Sequence, residues 1–413
     1  MISASRDAER VSWGFIALYT LAFLGTCLVL IAPLLVTLAL KVNSLVGIDA
    51  APRNLSLVTG IGALVAMLGN PFLGKMSDRT TSRLGMRRPW MAIGLFGGSL
   101  GVLVVALAAH MWVVLVGWCV AQLFFNGLLA ALVAVLPDQV PVSQRGLVSG
   151  VLGVCLPVAS VGGTYVVQLF SGSQLAMFLA PCAIAALLVG PFAARLDDRR
   201  LAPSDRPDWS LRELISTFYV DPRRNPDFTW AFASRFLFVT AYAFLVTYQA
   251  YFLIDQIGSD EDDIPRLIFH STLVQSSVVV VASLVGGRLS DRTGRRKAFV
   301  LTASATYGLA LFAIAGSTDF DRFLVCMALA GLGFGVYVSV DLALVADVLP
   351  DDSSVAKDLG VFNIAGALPF SVAPAVAPFV LTLGGGSYGV LYAVAGVCAL
   401  LGALAILPVK RVR

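Results

Sequence analysis

The chain has 413 residues, of which 58% are hydrophobic and 13% charged, and its mean hydropathy is +0.85. Soluble globular proteins carry roughly 45–50% apolar and about 25% charged residues. No polar stretch is long enough to form a soluble domain, so soluble enzymes and disulfide-rich secreted domains are excluded. The net charge of +4 does not indicate a nucleic-acid partner, because the basic residues flank apolar segments. We expect a polytopic protein of the lipid bilayer.

Twelve apolar segments are long enough to cross a membrane, since about 20 residues rising ~1.5 Å each span a ~30 Å hydrocarbon core. Membrane strands are not expected, because they need ~10-residue segments that alternate polar and apolar residues. The predicted fold class is therefore an all-α membrane protein with twelve transmembrane helices. In chain order the predicted helices are Ser12–Leu40, Asn54–Gly74, Trp90–Ala109, Met111–Leu136, Gly146–Phe170, Leu175–Ala194, Asp227–Ile254, Pro265–Gly287, Ala298–Gly316, Phe323–Leu349, Asp358–Leu383 and Tyr388–Val409.

The positions of lysine and arginine predict the orientation, because cytoplasmic loops collect these residues. If both termini are cytoplasmic, most of the 29 lysines and arginines fall on the inner side. Arg235 lies within a helix, and only Lys41, Arg53, Arg266 and Arg322 fall outside. We expect a multi-pass protein of the plasma or bacterial inner membrane with both termini in the cytoplasm.

Two short strings recur at the same spacing, which is close to half the chain length. SDRT occurs at Ser77–Thr80 and Ser290–Thr293, and VLPD occurs at Val135–Asp138 and Val348–Asp351. Six helices per copy give two parallel repeats, as in many transporters. The predicted division is an N-terminal half, 1–194, a cytoplasmic linker, 195–226, and a C-terminal half, 227–413. Within the linker, residues 209–218 suit either a helix on the membrane surface or an ordinary loop helix.

The loops that carry SDRT resemble a known motif. GKMSDRTTSRLGMRRPW, from Gly74 to Trp90, resembles the loop between helices 2 and 3 of the major facilitator superfamily, and GRLSDRTGRRK, from Gly287 to Lys297, resembles its second copy. Helix number, repeat and linker extend the resemblance over the whole chain. The longer first copy, with the later PDQVPVSQRG, more particularly resembles sucrose and other glycoside–proton symporters. It departs from that pattern at Met86, where arginine is usual.

The resemblance implies that these loops form a gate. Asp78 and Asp291, each just past a helix end, would pair with arginines and with the N-terminus of a neighbouring helix, and these contacts would hold the outward-open state. Such pairing is physically reasonable, because a carboxylate is stabilised both beside an arginine and beside a helix N-terminus. The alternative is a solvated turn whose arginines only set topology. Gly74 and Gly287 would let neighbouring backbones approach closely. The gating candidates are Gly74, Asp78, Arg79, Arg87, Arg88, Gly287, Asp291, Arg292, Arg295 and Arg296. Their candidate partners are Asp138, Arg145, Asp351 and Lys357.

Arg235 and Asp341 are the two charged residues that lie deep in predicted helices. Arg235 is about 12 Å and Asp341 about 13 Å from the same membrane face at ~1.5 Å per residue. Each would cost ~2.5–3.5 kcal/mol if it faced lipid, so such residues normally face a cavity or a partner. The resemblance implies that both helices line a central cavity. We expect the pair to couple transport to protons, or alternatively to form a structural ion pair.

Polar and aromatic residues recur at helical spacing near these charges. Arg235, Tyr242 and Gln249 share one face, and so do Trp118, Gln122 and Asn126. Aromatic platforms and amides suit sugars and other polyols, although the same stripes can pack helices together. The substrate-binding candidates are Tyr19, Trp118, Gln122, Asn126, Tyr242, Gln249 and Tyr337.

The energy source is predicted to be an ion gradient. GNPFLGK, from Gly69 to Lys75, resembles a phosphate-binding loop but has Met76 where Ser or Thr must hold Mg²⁺. We expect a secondary active transporter that moves a small polar organic solute, preferably a sugar or glycoside, with protons, by rocking two halves as a monomer. One alternative is a proton-antiport exporter of drugs or metabolites; another is a membrane enzyme or scaffold. No enzyme, cofactor or metal site is expected, because there is neither a buried His nor a carboxylate pair.

Overall fold

The computed structural model describes residues 10–202, 204, 225–348 and 362–409, which contain twelve membrane-length helices and no strand. This confirms the predicted all-α class. The helices are α1 Trp13–Val46, α2 Ala51–Asp78, α3 Arg88–Leu107, α4 Met111–Gln139, α5 Ser143–Leu169, α6 Gln174–Arg195, α7 Pro226–Gln256, α8 Ile264–Thr293, α9 Arg296–Ala315, α10 Phe320–Val348, α11 Phe362–Leu383 and α12 Tyr388–Ala405.

Local sequence explains where several helices begin or bend. Ser12 and Ser173 cap α1 and α6, because each hydroxyl accepts a backbone N–H three residues later. A π-helical segment, Pro33–Thr37, interrupts α1, since Pro33 has no N–H for the regular hydrogen bond. Gly294 ends α8 with φ of 65°. A left-handed residue of this kind ends many helices and favours glycine.

Two helices run further than the sequence predicted. Asp78 is the last residue of α2, and Asp291 lies within the last turns of α8, so neither follows a helix end as expected. The reason is that the first residues of each SDRT string continue the backbone hydrogen bonds of the helix, with Ser77 and Ser290 buried. A carboxylate at a helix C-terminus meets the negative end of the helix dipole. A cation near Asp78 would therefore offset the unfavourable interaction of its carboxylate with the helix dipole.

The described chain divides into two compact units. Unit 1 comprises Met1–Pro33 and Leu68–Asp208, and unit 2 comprises Leu34–Met67 and Trp209–Arg413. Leu34–Met67, the C-terminal part of α1 and the N-terminal part of α2, thus belongs with the C-terminal helices. The halves 1–194 and 227–413 remain a prediction from the repeat. Of the predicted linker, residues 203 and 205–224, including 209–218, lie outside the described residues.

Small residues set the helix spacing inside each unit. In unit 1, a Cβ on Gly101 of α3 would lie 2.5 Å from the backbone nitrogen of Ala121 in α4. In unit 2, a Cβ on Gly335 of α10 would lie 2.6 Å from the Val279 carbonyl of α8. Helices in lipid associate by such close packing, because no hydrophobic force drives them together there. These contacts hold α3 against α4 in unit 1 and α8 against α10 in unit 2.

Candidate functional site

An ion pair lies among the apolar helices of unit 2. The Arg235 Nη1 of α7 donates to the Asp341 Oδ2 of α10 at 2.7 Å. Both side chains are largely buried, with 18% and 11% of their surfaces exposed. Each charge therefore has the partner that its membrane depth requires. The structure brings together the two residues that the sequence placed at matching depth.

The guanidinium of Arg235 also contacts α11. Its central carbon lies 4.9 Å from the centre of the Phe362 ring. A Cβ on Gly366 would approach Nη2 to 3.1 Å, so the bare glycine leaves room for the guanidinium. The buried Nε has no hydrogen-bond partner among the described residues. Sequence reasoning missed both α11 residues, because neither carries a polar side chain.

An aromatic cluster lies beside the ion pair. Tyr337, one turn before Asp341, stacks on Phe238 with 3.6 Å between ring centres, and Tyr242 stacks on Phe334 at 4.5 Å. Gln249, two turns beyond Tyr242, is buried, and its Nε2 lacks a partner within the described part of the chain. Unit 2 thus places four of the predicted site residues, Arg235, Tyr242, Tyr337 and Asp341, in one region.

In unit 1 the polar stripe of α4 forms a hydrogen-bonded chain with α2. Asn126 Nδ2 donates to the Gln122 side-chain oxygen at 3.1 Å. Asn70 of α2 donates to the Asn126 carbonyl at 3.4 Å. Sequence reasoning missed Asn70, although a lone amide within an apolar helix is itself a signal. The three amides are half-buried.

Tyr19 and Trp118 lie in the packed interior of unit 1. The Tyr19 hydroxyl donates to the Leu132 carbonyl at 2.7 Å, and its ring stacks on Phe192 at 5.3 Å. Tyr19 is fully buried and Trp118 is 2% exposed. The hydroxyl of Tyr19 is already used, because a buried polar group must find a partner within the protein. This position suits helix packing better than the binding role expected from the sequence.

The first copy of the motif is organised around Arg87. Its guanidinium lies 2.6 Å from Asp78 and 2.9 Å from Asp138, and Nη1 also donates to Ser77 Oγ. The Arg87 side chain is only 6% exposed. Burial alone would lower its pKa, but the hydrogen bonds and charges of Asp138 and Asp78 outweigh burial and raise the pKa of Arg87. Arg87 therefore stays charged and joins the ends of α2 and α4.

Asp198, just after α6, completes this cluster. Its Oδ2 accepts the backbone N–H groups of Arg87 and Arg88 at 2.6 and 2.9 Å, at the N-terminus of α3. A carboxylate at this place satisfies free donors and meets the positive end of the helix dipole. Gly85 has φ of 104°, and a Cβ there would clash with the Asp198 carboxylate. Nothing in the sequence marks this contact, since 111 residues separate the partners.

Arg145 does not pair with Asp138. Its guanidinium donates instead to the carbonyls of Pro137 and Val140 at the C-terminus of α4. The last carbonyls of a helix have no partner within it, so a nearby cation is favoured there. Two further arginines of the first copy differ from each other: Arg88 donates to the Ala194 carbonyl, whereas Nη1 of Arg79 is buried with no partner among the described residues.

The second copy is more open. Asp291, Arg292 and Arg295 are exposed, and no ion pair joins them within the described ranges. Arg296 is half-buried. Asp351 and Lys357 lie outside the described residues.

The motif glycines do not produce the close approach expected. A Cβ on Gly74 or on Gly287 would meet its nearest neighbour at 3.6 Å, an ordinary contact. The close approach occurs instead at Gly286, where a Cβ would come to 3.1 Å from Val336.

Three hydrogen bonds tie Leu34–Met67 to the C-terminal helices of unit 2. Ser56 and Tyr248 share a hydroxyl–hydroxyl contact of 2.6 Å, and Tyr251 donates to the Ala39 carbonyl at 3.0 Å. Asn43 donates to the Glu261 carboxylate at 2.6 Å. Sequence reasoning missed these partners, because the repeat assigned the two sides to different halves.

Across the described residues, twelve membrane-length helices, a buried charge pair and a repeated loop motif form an arrangement typical of membrane transporters. The sequence matches the Major Facilitator Superfamily over residues 14–268 and 269–413. The chain belongs to this family and is a transporter, not an enzyme. No curated protein matches the sequence significantly.

Solved structures share the fold. A point mutant of the nucleoside transporter NupG is 14% identical with a TM-score of 0.76, and the alignment covers 96% of this chain and 99% of that one. A D-xylose-proton symporter is 14% identical with a TM-score of 0.70, covering 96% and 98%. The human organic anion transporter MFSD10 is 16% identical with a TM-score of 0.66, covering 95% and 98%.

Proposed function

We propose that the protein is a secondary active transporter that moves a small polar organic solute, preferably a sugar or glycoside, together with protons by alternating access. The single observation that carries this proposal is the 2.7 Å pair of Arg235 and Asp341 within the membrane helices of unit 2. Charges at such depth are expensive and usually serve ion or substrate movement. The proposal also places both termini in the cytoplasm and takes the monomer as the functional form.

The pair suits proton coupling because its two members respond differently to separation. A guanidinium stays protonated in proteins, so the carboxylate must carry the proton. An adjacent guanidinium keeps a carboxylate ionised, whereas a dry site without that cation favours the neutral acid. A conformational change that separates Asp341 from Arg235 therefore favours proton uptake by the carboxylate, and re-pairing favours release.

The preference for a sugar rests on the chemistry of polar and aromatic side chains within each unit. Unit 2 offers the stacked ring of Tyr242 and the Nε2 of Gln249, which has no hydrogen-bond partner among the described residues. Unit 1 offers the amides of Gln122 and Asn126. Sugars bind through hydroxyl–amide hydrogen bonds and ring stacking. Among the structures that share the fold, one is named a D-xylose-proton symporter and one a nucleoside transporter, which supports a small polar solute.

An exporter of lipophilic compounds by proton antiport is the second candidate. The cluster of Phe238, Phe334 and Tyr337 beside the ion pair favours it, since stacked rings form an apolar surface. Such a surface also attracts lipophilic cations. Both candidates use the same charge pair and differ in substrate and direction.

Counterflow in proteoliposomes separates the two candidates. Vesicles loaded with unlabelled sucrose, D-xylose or tetraphenylphosphonium are diluted into the same labelled compound, and transient accumulation is recorded. We expect accumulation of a sugar but not of tetraphenylphosphonium. Accumulation of tetraphenylphosphonium alone would contradict the sugar proposal. A protein-free vesicle serves as the control for leakage.

A further inference from the structure

Three different surfaces surround the Arg235 guanidinium. Asp341 of α10 accepts a hydrogen bond from Nη1 at 2.7 Å. The Phe362 ring of α11 lies 4.9 Å from the guanidinium carbon, and Gly366, one turn further along α11, faces Nη2 and Nε. Phe362 and Gly366 thus belong to one helix, α11, and only Asp341 of α10 carries a charge.

We propose that Phe362 and Gly366 are positioning residues that hold the Arg235 guanidinium against Asp341 and retain it on α11 when that ion pair opens. Their effect on coupling rests on the proton-coupled function proposed above; the contact itself does not.

The Phe362 ring is suited to this task because it attracts a cation without neutralising it. The negative face of an aromatic ring holds a guanidinium by charge–quadrupole attraction, and the attraction strengthens where water is excluded. Phe362 is 2% exposed, so water does not compete on its buried side. Protonation of Asp341 removes the carboxylate charge but leaves the ring unchanged. The cation then remains on α11, ready to pair again.

The position of the ring is itself fixed by α7. Phe362 makes an edge-on contact with Phe228 at 5.7 Å between ring centres. Phe228 and Arg235 are seven residues apart and therefore share one face of α7. The ring of α11 thus lies against both residues of that face. A leucine would keep most of the packing against Phe228 but lose the attraction for the cation.

Gly366 has a steric role at the same place. A Cβ there would come to 3.1 Å from Nη2, 3.5 Å from Nε and 3.7 Å from Cζ. The first distance is too short for an undisturbed contact, so alanine must displace the guanidinium by a few tenths of an ångström. Because the displaced group is the one bonded to Asp341, the ion pair changes geometry. Larger side chains at this position displace it further.

A thermal double-mutant cycle tests the contact without any substrate. Phe362→Leu is measured in the full-length wild type and in the Arg235→Gln/Asp341→Asn background, which is neutral and avoids a stranded charge. We expect the loss in Tm to be greater in the wild type by about 2 °C or more, since residues in contact do not act additively. Phe323→Leu is the control, because Phe323 is fully buried, stacks on Phe252 and has no cation over its ring in the part of the chain that the structure describes. Its effect should be equal in both backgrounds.

Two further variants keep the test decisive. Phe362→Tyr retains the ring face, so its change in Tm should be the same in the charged and neutral backgrounds, because any disturbance by the added hydroxyl acts in both alike. If the neutral Arg235→Gln/Asp341→Asn pair folds poorly, Arg235→Met/Asp341→Leu provides a second background without either charge. Equal Tm losses for Phe362→Leu in charged and neutral backgrounds would overturn the proposal.

Transport then tests the consequence for coupling. With labelled sucrose and D-xylose in proteoliposomes, Phe362→Leu and Gly366→Ala should lower proton-driven accumulation about five-fold while counterflow falls less than about two-fold. Gly190→Ala is the control, since a Cβ there meets nothing within 4 Å. An equal loss of both modes would contradict a positioning role. If neither sugar is transported by the wild type, the proposed substrate class fails, while the Tm cycle still decides the contact.

Discussion

Arg235 and Asp341 lie 106 residues apart in the chain and 2.7 Å apart in the structure. They join α7 to α10 within unit 2, and each is the only neutralising charge that the structure places on the other among the described residues. Removing one member leaves a buried charge unpaired, which is costlier than removing both. Arg235→Gln alone should therefore lower expression and transport, and the Arg235→Gln/Asp341→Asn pair should recover folding but not accumulation. Size-exclusion profiles in detergent and proton-driven uptake measure the two effects.

The positions of Tyr19 and Gln122 predict different losses. Tyr19→Phe removes the hydrogen bond to the Leu132 carbonyl and should destabilise the protein by about 1 kcal/mol, with the substrate KM unchanged. Gln122→Leu should leave Tm nearly unchanged and raise KM. Thermal unfolding in detergent and initial uptake rates measure both. A raised KM for Tyr19→Phe at normal stability would return Tyr19 to the binding site.

Asp78 provides a test of the gating motif. Asp78→Asn should insert normally and lose most transport, because the charge at the end of α2 pairs with Arg87 at 2.6 Å. Exposed ion pairs are individually weak, so a large loss requires a gate with two alternative states. Asp291→Asn should cause a milder loss, since Asp291 is exposed and unpaired within the described ranges. Uptake normalised to expression is the readout, and wild-type uptake by Asp78→Asn would remove the gating role.

Asp198 should stabilise the motif loop. Asp198→Ala removes the acceptor for two backbone N–H groups of α3 and should cost about 1 kcal/mol, typical of a lost helix cap. Gly85→Ala should cost more, because its φ is 104° and the new Cβ meets Asp198. Gly146→Ala is the matched control, since open space surrounds that position. Equal Tm values for Gly85→Ala and Gly146→Ala would contradict the described loop geometry.

Cysteine labelling tests the proposed orientation. Cysteines introduced at Ser259 and Gly172 should react with an impermeant thiol reagent added to intact cells, whereas one at Ser204 should react only after lysis. Gly172 is exposed and a side chain there meets nothing within 4 Å, so access depends on membrane side alone. The background variant replaces the six native cysteines by serine or alanine. Labelling at Ser204 in intact cells would reverse the orientation.

The pairing of the two charged residues deep in the membrane helices was the part of the site most readily predicted from the sequence. Arg235 and Asp341 stand out from the sequence because charges seldom lie deep in membrane helices, and depth follows from counting residues. Tyr19 shows the opposite case: apolar residues lie on every side of α1, so spacing alone does not distinguish a cavity face from a packing face. Asp198 and Phe362 act through long-range contacts whose partners the sequence does not mark. Asp78 was misplaced by one turn because polarity ends a membrane segment but does not end a helix.

Proton-driven accumulation by Asp341→Asn tests the central proposal most directly. The asparagine keeps the size of the side chain but has no proton to exchange, so accumulation of labelled sucrose or D-xylose against a gradient should vanish while counterflow survives in part. Asp321→Asn is the matched control, because Asp321 lies in the exposed first turn of the same helix. The predicted result is that Asp341→Asn loses accumulation while Asp321→Asn keeps it. If Asp341→Asn still concentrates the sugar, Asp341 is not the proton carrier, and its pair with Arg235 is a structural ion bridge.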